Sequence, residues 1–353
     1  MFSVTNDRGF VPQSEQFEGR DMVGEDIKAY KIIHTNDFAY NPARINVGSI
    51  AMYTGERPCM ISSLYVCFKT TKEVNNEWLM QLLKTPKMNY YYNVNGEGGV
   101  RVYLFYPNFA RIRMSIPKIE EQKKIAKLLN LIDERIATQN KIIEDLKKLK
   151  SAISKHLFSR KDLLETTIRL TDIATLKNGY AFQSSKYDTQ GKWKILTIAN
   201  VSGERYINDD DCNCIINLPN DIQDHQILKE GDILISLTGN VGRVSLCKSG
   251  AYLLNQRVGL LQIEGNIDKE FLYQVLSSRR FENSMVACGQ GAAQMNIGKG
   301  DVENFVLPYS SNSNNIHLVA RILYSYDECI INELRELTLL TIQKQYFLAQ
   351  MFI

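Results

Sequence analysis

The side chains that usually carry catalysis are scattered along this 353-residue chain. Seven cysteines (Cys59, Cys67, Cys212, Cys214, Cys247, Cys288, Cys329) contain no Cys-x-x-Cys pair, and His34, His156, His225 and His317 are isolated in sequence. Zinc sites need such ligands in clusters, so no metal is proposed here. Asp209-Asp210-Asp211 lacks the Glu-x-Lys partner of a metal-dependent nuclease. No Pro-Pro occurs, so an Asn/Asp-Pro-Pro-aromatic loop that would grip a flipped base is missing. A GxxxxGK[ST] phosphate loop is also missing, and the glycine-punctuated loops at 96–99 and 289–300 lack the helix that would present its positive end to a phosphate. The expectation is a chain without catalysis, cofactor or metal.

Composition narrows the class further. Apolar residues make up 44% and charged residues 23%, ordinary globular proportions that leave room for two or three domains and exclude a wholly disordered chain. No apolar run approaches the length of a membrane span, and Met-Phe-Ser-Val-Thr-Asn-Asp has no basic flank of a secretory signal. An odd number of scattered cysteines suits reduced thiols in a cytoplasm.

The net charge of +3 is unevenly spread. Residues 118–161 hold 12 Lys and Arg against 6 Asp and Glu, an excess twice that of the whole chain. Such a stripe attracts phosphate, and it is equally the solvated face of a helix.

That segment has the pattern of one long helix. Ile125, Leu129, Ile132, Ile136, Ile143, Leu146, Ile153 and Leu157 recur in alternating steps of four and three, with Gln139 and Lys150 in the gaps. This spacing keeps one seam towards a partner helix. No Gly or Pro interrupts Lys118–Arg160, and Pro117 stands where its fixed φ costs least.

A second copy of the seam lies 194 positions further on. It reads Ile316, Val319, Leu323, Tyr326, Ile330, Leu337, Leu340, Phe347 and Met351, with Glu333 and Lys344 polar. Asp133-Glu134 meets Asp327-Glu328 and Lys150 meets Lys344, so the interruptions coincide as well. The expected helix-pair interface is Ile125, Leu129, Ile132, Ile136, Ile143 and Leu146 against Val319, Leu323, Tyr326, Ile330, Leu337 and Leu340.

The segments before each helix also correspond. Asn36–Tyr40 with Asn46-Val47-Gly48 resembles Gly231–Ile235 with Asn240-Val241-Gly242. Each then shows a β-rich stretch (Ser62–Phe68, Leu253–Ile263), a short helical pattern (Asn76–Leu83, Lys269–Ser277), a glycine loop, and strand residues ending in proline (Met114–Pro117, Phe305–Pro308). The chain therefore has the pattern of a mixed α/β (α+β) duplication: globule 1–117, long helix 118–161, globule 162–308, long helix 309–353. The duplication is incomplete, because Ile168–Ile173 has no counterpart after Met1.

Pro117–Ala126, followed by Leu128-Leu129 and Ile132–Ile136, and closing in Leu146–Lys150 and Leu157-Phe158, resembles the central conserved region of the specificity (S) subunits of Type I restriction–modification systems. Tyr30–Ala51 is similar to one class of that family's target recognition domains. The resemblance implies two recognition domains joined by two long helices in an antiparallel coiled coil with pseudo-two-fold symmetry. It implies double-stranded DNA as a partner, together with modification subunits that methylate adenine using S-adenosylmethionine and a restriction subunit that hydrolyses ATP and cuts.

Two unlike globules at the ends of paired helices would act as a ruler reading a gapped, bipartite site. Base edges are matched by the paired groups of Arg, Asn and Gln on loops. The candidates are Asn41, Arg44 and Asn46 in the first globule, and Asn240, Arg243, Asn255, Gln256, Arg257, Gln290 and Gln294 in the second. Turn capping and internal hydrogen bonding are the alternative for each. The acidic cluster at 209–211 is expected to face away from phosphate. The competing reading of the whole chain is a coiled-coil scaffold with two protein-binding globules.

Overall fold

The computed structural model describes residues 1–16, 30–99, 102–289 and 295–352. It is a mixed α/β structure whose two compact units are Met1–Asn140 with Arg335–Ile353, and Lys141–Leu334.

The first unit begins with strands β1 (Phe2–Thr5) and β2 (Gly9–Pro12) and the single turn α1 (Gln13–Gln16). β3 (Lys31–Ile33), β4 (Phe38–Tyr40), β5 (Ile50–Met52), β6 (Cys59–Ile61) and β7 (Val66–Phe68) follow. They form two sheets, β2-β1-β6-β3 and β5-β4-β7. Three helices come next: α2 (Asn76–Leu83), α3 (Pro86–Asn95) and the short α4 (Tyr106–Phe109). The Asn75 side chain accepts the Trp78 N–H, and Thr85 accepts the Met88 N–H, so both longer helices start on a side-chain cap.

Helix α5 (Ile119–Ser159) is 41 residues long and unbroken, as its seam predicts. In the first unit its Ala126 and Leu129 are buried in one core with Trp78, Tyr40, Leu348 and Phe352.

The second unit continues with β8 (Thr166–Arg169), β9 (Ala174–Asn178), β10 (Trp193–Leu196), β11 (Asn213–Ile215) and β12 (Ile227–Leu228). β13 (Ile233–Ser236), β14 (Val244–Leu246), β15 (Tyr252–Leu254), β16 (Val258–Ile263) and β17 (Val306–Tyr309) complete its strands. Its sheets are β11-β10-β15-β12, β14-β13-β16-β9 and β17-β8. Helices α6 (Lys269–Leu276) and α7 (Arg279–Cys288) start on Asp268 and Ser278 caps, and α8 (Lys299–Glu303) is a short turn. Helix α9 (Ser313–Met351) runs 39 residues. In this unit Ile316, Val319, Ala320 and Leu323 of α9 share a core with Leu157 and Phe158 of α5.

The seam positions are buried or half-buried throughout both long helices, including Ile132, Ile143 and Ile330 and the half-buried Ile125, Ile136, Leu146, Tyr326, Leu337 and Leu340. Gln139 in the seam gap is almost fully buried.

Two details of the strand pattern differ from expectation. Ser62–Phe68 is not one strand: the chain pairs over Cys59–Ile61, turns, and pairs again over Val66–Phe68. Met114–Pro117 forms no strand, although Val306–Tyr309 does. The physical reason is pairing. β17 is hydrogen-bonded to β8, and no described residue of the first unit offers residues 112–117 such a partner.

Candidate nucleic-acid interface

In the second unit three loops meet at one end of the sheet β14-β13-β16-β9. The turn from β13 to β14 closes through Gly242 N–H to Ser236 O at 2.9 Å. Its Gly242 has φ 76°, and a Cβ there would lie 2.7 Å from the Met285 Cβ, so only glycine lets the turn sit on α7. The loop after β15 ties to this turn by Leu237 N–H to Arg257 O at 3.0 Å. The third loop joins by Gly239 N–H to Met295 O and Ile297 N–H to Leu237 O, both 2.9 Å, and by Thr238 Oγ1 to Asn296 Oδ1 at 3.1 Å.

On that scaffold Asn240, Gln256 and Arg257 are exposed, and their side chains have no partner among the described residues. A rigid backbone thus presents two amides and one guanidinium to solvent, the donor and acceptor set that reads purine edges. Asn255 is used internally, its Oδ1 accepting the Arg257 N–H at 3.2 Å. Arg243 is also engaged: Nη1 donates to Ser202 O at 3.3 Å, and Nε lies 4.0 Å from Glu282. Gln290 and Gln294 lie outside the described residues. Beside Asn255, Gln256 and Arg257, a cavity of about 250 Å³ is walled by Phe182, Tyr187, Thr197 and Ile198.

The first unit builds the same end of its sheet differently. Asn41 Oδ1 accepts the Ala43 N–H at 3.0 Å, an Asx turn that leads into the 3₁₀ turn Ile45–Val47. Asn46 donates to Asn93 Oδ1 at 3.2 Å. Of the three candidates only Arg44 is exposed with its side chain unpartnered among the described residues. Leu104 N–H to Pro42 O at 3.0 Å carries a neighbouring loop here, where Tyr103 and Phe105 stand exposed with rings 6.2 Å apart and nearly parallel. Those aromatics carried no sequence signal; Tyr103 is paired with Glu97 in an isolated bridge.

One member of the acidic cluster, Asp209, is neutralised in place. Asp209 accepts from Lys194 at 2.7 Å, Lys248 at 2.9 Å and the Tyr252 hydroxyl at 3.0 Å. These partners, Lys194 first, hold its carboxyl well below the usual range.

In each unit an ionic cluster ties the globule to the long helices. In the second unit Arg205 holds Glu270 in a fork, Nη1 to Oε1 at 2.8 Å and Nη2 to Oε2 at 2.6 Å, and reaches Asp327 at 3.0 Å. Its guanidinium lies over the Tyr324, Tyr273 and Tyr206 rings at 4.8, 5.0 and 5.6 Å. Burial by itself lowers the arginine's pKa, and the hydrogen bonds and charge of Glu270, with Tyr206 and the Asp327 charge, together outweigh it and raise the value. Asp327 also accepts from Gln274 at 2.6 Å and Lys150 at 2.5 Å. The first unit has the same set without the arginine: Asp133 accepts from Gln81 at 2.9 Å and Lys344 at 2.5 Å, and Glu77 accepts from Asn130 at 2.9 Å. The sequence pattern aligned the lysines and aspartates but gave no sign that Arg205 joins them.

The family model for the Type I restriction modification DNA specificity domain matches this chain twice, over residues 25–148 and 165–341. The chain belongs to the Type I specificity family. Its role is that of a specificity (S) subunit, which confers DNA sequence specificity on a Type I restriction–modification system. A relative from Methanocaldococcus jannaschii, the Type I restriction enzyme MjaVIII specificity subunit, is 26% identical over 302 residues, spanning 78% of this chain and 69% of its own. A second from the same organism, the putative MjaX specificity subunit, is 23% identical over 309 residues, spanning 82% and 71%. Among solved structures, the S subunit of M. genitalium matches with TM-score 0.56 and 16% identity over 91% of this chain and 84% of that one. A chain from work on complex assembly and conformational transition of a type I system matches with TM-score 0.57 and 16% identity, over 91% and 83%. At such identities the likeness is one of fold. Among the described residues, no helix of this S subunit is long and apolar enough to cross a membrane.

Proposed function

We infer that this S subunit reads a gapped, bipartite DNA site with two recognition domains, residues 1–117 and 162–308. Residues 118–161 and 309–353 are the spacer, an antiparallel coiled coil whose two halves repeat with pseudo-two-fold symmetry. The observation that carries this reading is the exchanged pairing of two repeated residues. Lys150 of the first helix pairs with Asp327 of the second, and Lys344 of the second pairs with Asp133 of the first. Each lysine and each aspartate is matched by its partner 194 positions away. Reciprocal pairing of that kind is what a two-fold relation between two antiparallel helices produces.

A helix of 41 residues is about 60 Å long at 1.5 Å per residue, and one turn of DNA is about 34 Å. Two heads on such a spacer can address separate major-groove segments and leave the base pairs between them unread. Arg44 in one head and Asn240, Gln256 and Arg257 in the other are the side chains free to meet base edges. Lys and Arg elsewhere neutralise phosphates and set affinity without selecting sequence. The unlike heads make the site asymmetric.

The chain itself performs no bond-making step in this reading. Adenine methylation belongs to modification subunits, and ATP-dependent cleavage belongs to a restriction subunit, both docked on this chain in the cytoplasm. The seven cysteines, none in a disulfide, suit that compartment. Co-expression with a modification subunit and mapping of methylated adenines is the test. Two short specified blocks separated by a constant unspecified gap are expected; a continuous ungapped site would overturn the reading.

A further inference from the structure

We propose that Tyr103 and Phe105 are specificity-determining residues of the first recognition domain and read the methyl group of thymine in the major groove. The proposal deepens the DNA-reading function inferred above and rests on it.

The two residues flank a fixed point. Leu104 is fully buried, while Tyr103 and Phe105 on either side of it are 38% and 48% exposed, the alternation of an extended segment. The Leu104 N–H donates to Pro42 O at 3.0 Å, within the turn that carries the exposed Arg44. Tyr103 is held to Glu97 by two backbone hydrogen bonds of 2.8 Å, and Phe105 O accepts the Phe109 N–H at 3.0 Å. The two rings therefore stand on a tied-down backbone, 6.2 Å apart and 14° from parallel.

The second unit shows that the fold does not call for aromatics at this place. Its Ile297 is buried as Leu104 is, and the Ile297 N–H donates to Leu237 O at 2.9 Å. Pro42 and Leu237 are 195 positions apart, as are Asp37 and Asp232 at the entry to the matching strands β4 and β13. Leu104 and Ile297 are each followed by the N-cap of a short helix, Phe105 before α4 and Gly298 before α8. Asn296 and Gly298 thus hold the positions of Tyr103 and Phe105. An N-cap favours glycine or a side chain that accepts an N–H of the first turn, and Phe105 makes no such bond. An exposed aromatic kept where local chemistry disfavours it belongs to a contact surface.

The place of the rings identifies what they meet. They are tied to the turn of Arg44, and in the second unit the equivalent Asn296 bonds Thr238 in the loop cluster that presents Asn240 and Arg257. DNA is therefore the occupant. In an intact duplex the apolar group that a base edge offers in the major groove is the thymine methyl, which pairs with apolar and aromatic carbon. Insertion of a ring between base pairs would have to unstack them. Methyl contact needs no such distortion.

The test uses the full chain in complex with modification subunits, and duplexes carrying its mapped site. Each specified thymine is replaced in turn by deoxyuridine, which removes the methyl group and keeps the base pairing. At one or more thymines of a single block, the wild-type complex should bind the uracil duplex about threefold to fivefold more weakly, roughly what one apolar carbon withdrawn from water supplies. Phe105→Ser, which adds a capping hydroxyl, should match or exceed the wild-type melting temperature. Combined with Tyr103→Ala, it should bind the thymine and uracil duplexes equally. No uracil penalty at any thymine of a gapped, bipartite site overturns the methyl contact and leaves the bipartite reading intact. A penalty that persists unchanged in the double variant assigns the methyl to other residues and also overturns the proposal. Weaker assembly of the double variant with modification subunits, at an unchanged thymine preference, makes the rings a protein contact instead. A continuous, ungapped site overturns the reading on which the proposal rests.

Discussion

Lys150 Nζ lies 2.5 Å from Asp327 Oδ1, and both side chains are largely withdrawn from water, at 18% and 7% exposure. The repeated pair, Lys344 with Asp133, has the same 2.5 Å separation but stands more open, at 23% and 39%. One chemical motif therefore sits in two dielectric settings.

That difference predicts unequal costs. Asp327→Ala strands Lys150 and Arg205 in a buried cluster and should cost about 3–5 kcal/mol, the range for removing one partner of a buried charge pair. Asp133→Ala opens a half-exposed pair and should cost about 1 kcal/mol or less. Urea unfolding of the two variants, each in its complex, measures the gap. Equal midpoints would contradict the burial argument.

The seam is tested at its fully buried positions. Leu129 is packed against the first unit's core and Leu323 against the second's, both without exposure. Leu129→Ala and Leu323→Ala should each cost about 2–5 kcal/mol through lost transfer energy and the cavity left behind. Ile136→Asp with Ile330→Asp should abolish assembly with modification subunits, read by size-exclusion chromatography.

Base reading separates Arg257 from Arg243. Arg257→Ala should relax one specified base pair in one block of the methylation site, a loss of about 1–3 kcal/mol of discrimination. Arg243 is held by Ser202 and Glu282, so Arg243→Ala should lower thermal stability and leave the mapped site unchanged. Arg44→Ala should act on the other block. Altered sites from Arg243→Ala with none from Arg257→Ala would reverse the assignment.

Glu165 gives a pH signature. Its carboxylate accepts from the Ser310 hydroxyl at 2.7 Å and from the Ser311 N–H and hydroxyl at 2.7 and 2.9 Å. Those bonds, Ser310 first, hold its pKa down to about 2 against an ordinary 4.5. A depressed carboxylate contributes stability that is fully present above its unfolded value and is lost as pH falls towards the folded one. Between pH 4.5 and 2 the wild-type chain should therefore lose stability faster than Glu165→Gln. Parallel melting curves for the two across that window would remove Glu165 from the account.

Helix periodicity was legible because it is local. A seam of apolar residues every 3.5 positions, with no Gly or Pro between Lys118 and Arg160, leaves one regular structure open to residues 119–159. The offset of 194 was legible for the same reason, as was the Lys150–Lys344 correspondence. Strand pairing is not local. Met114-Ser115-Ile116 has the composition of Val306-Leu307 and its neighbours, yet only the latter is a strand, because a strand exists by virtue of the segment beside it.

The candidate loops divide along the same line. Asn240 and Asn255 are the same residue type in similar turns, and only the fold leaves the first free and spends the second on the Arg257 N–H. Arg205 had no pattern to betray it, since its partners Glu270 and Asp327 stand 65 and 122 residues away. The amino-acid order alone determined the two long helices and the absence of familiar catalytic motifs, which depend on neighbours within a few turns of chain, and the repeat, which compares two such local patterns 194 positions apart. Which polar side chains face solvent and which charges are buried together were decided by tertiary packing, because each depends on groups brought together from distant parts of the sequence.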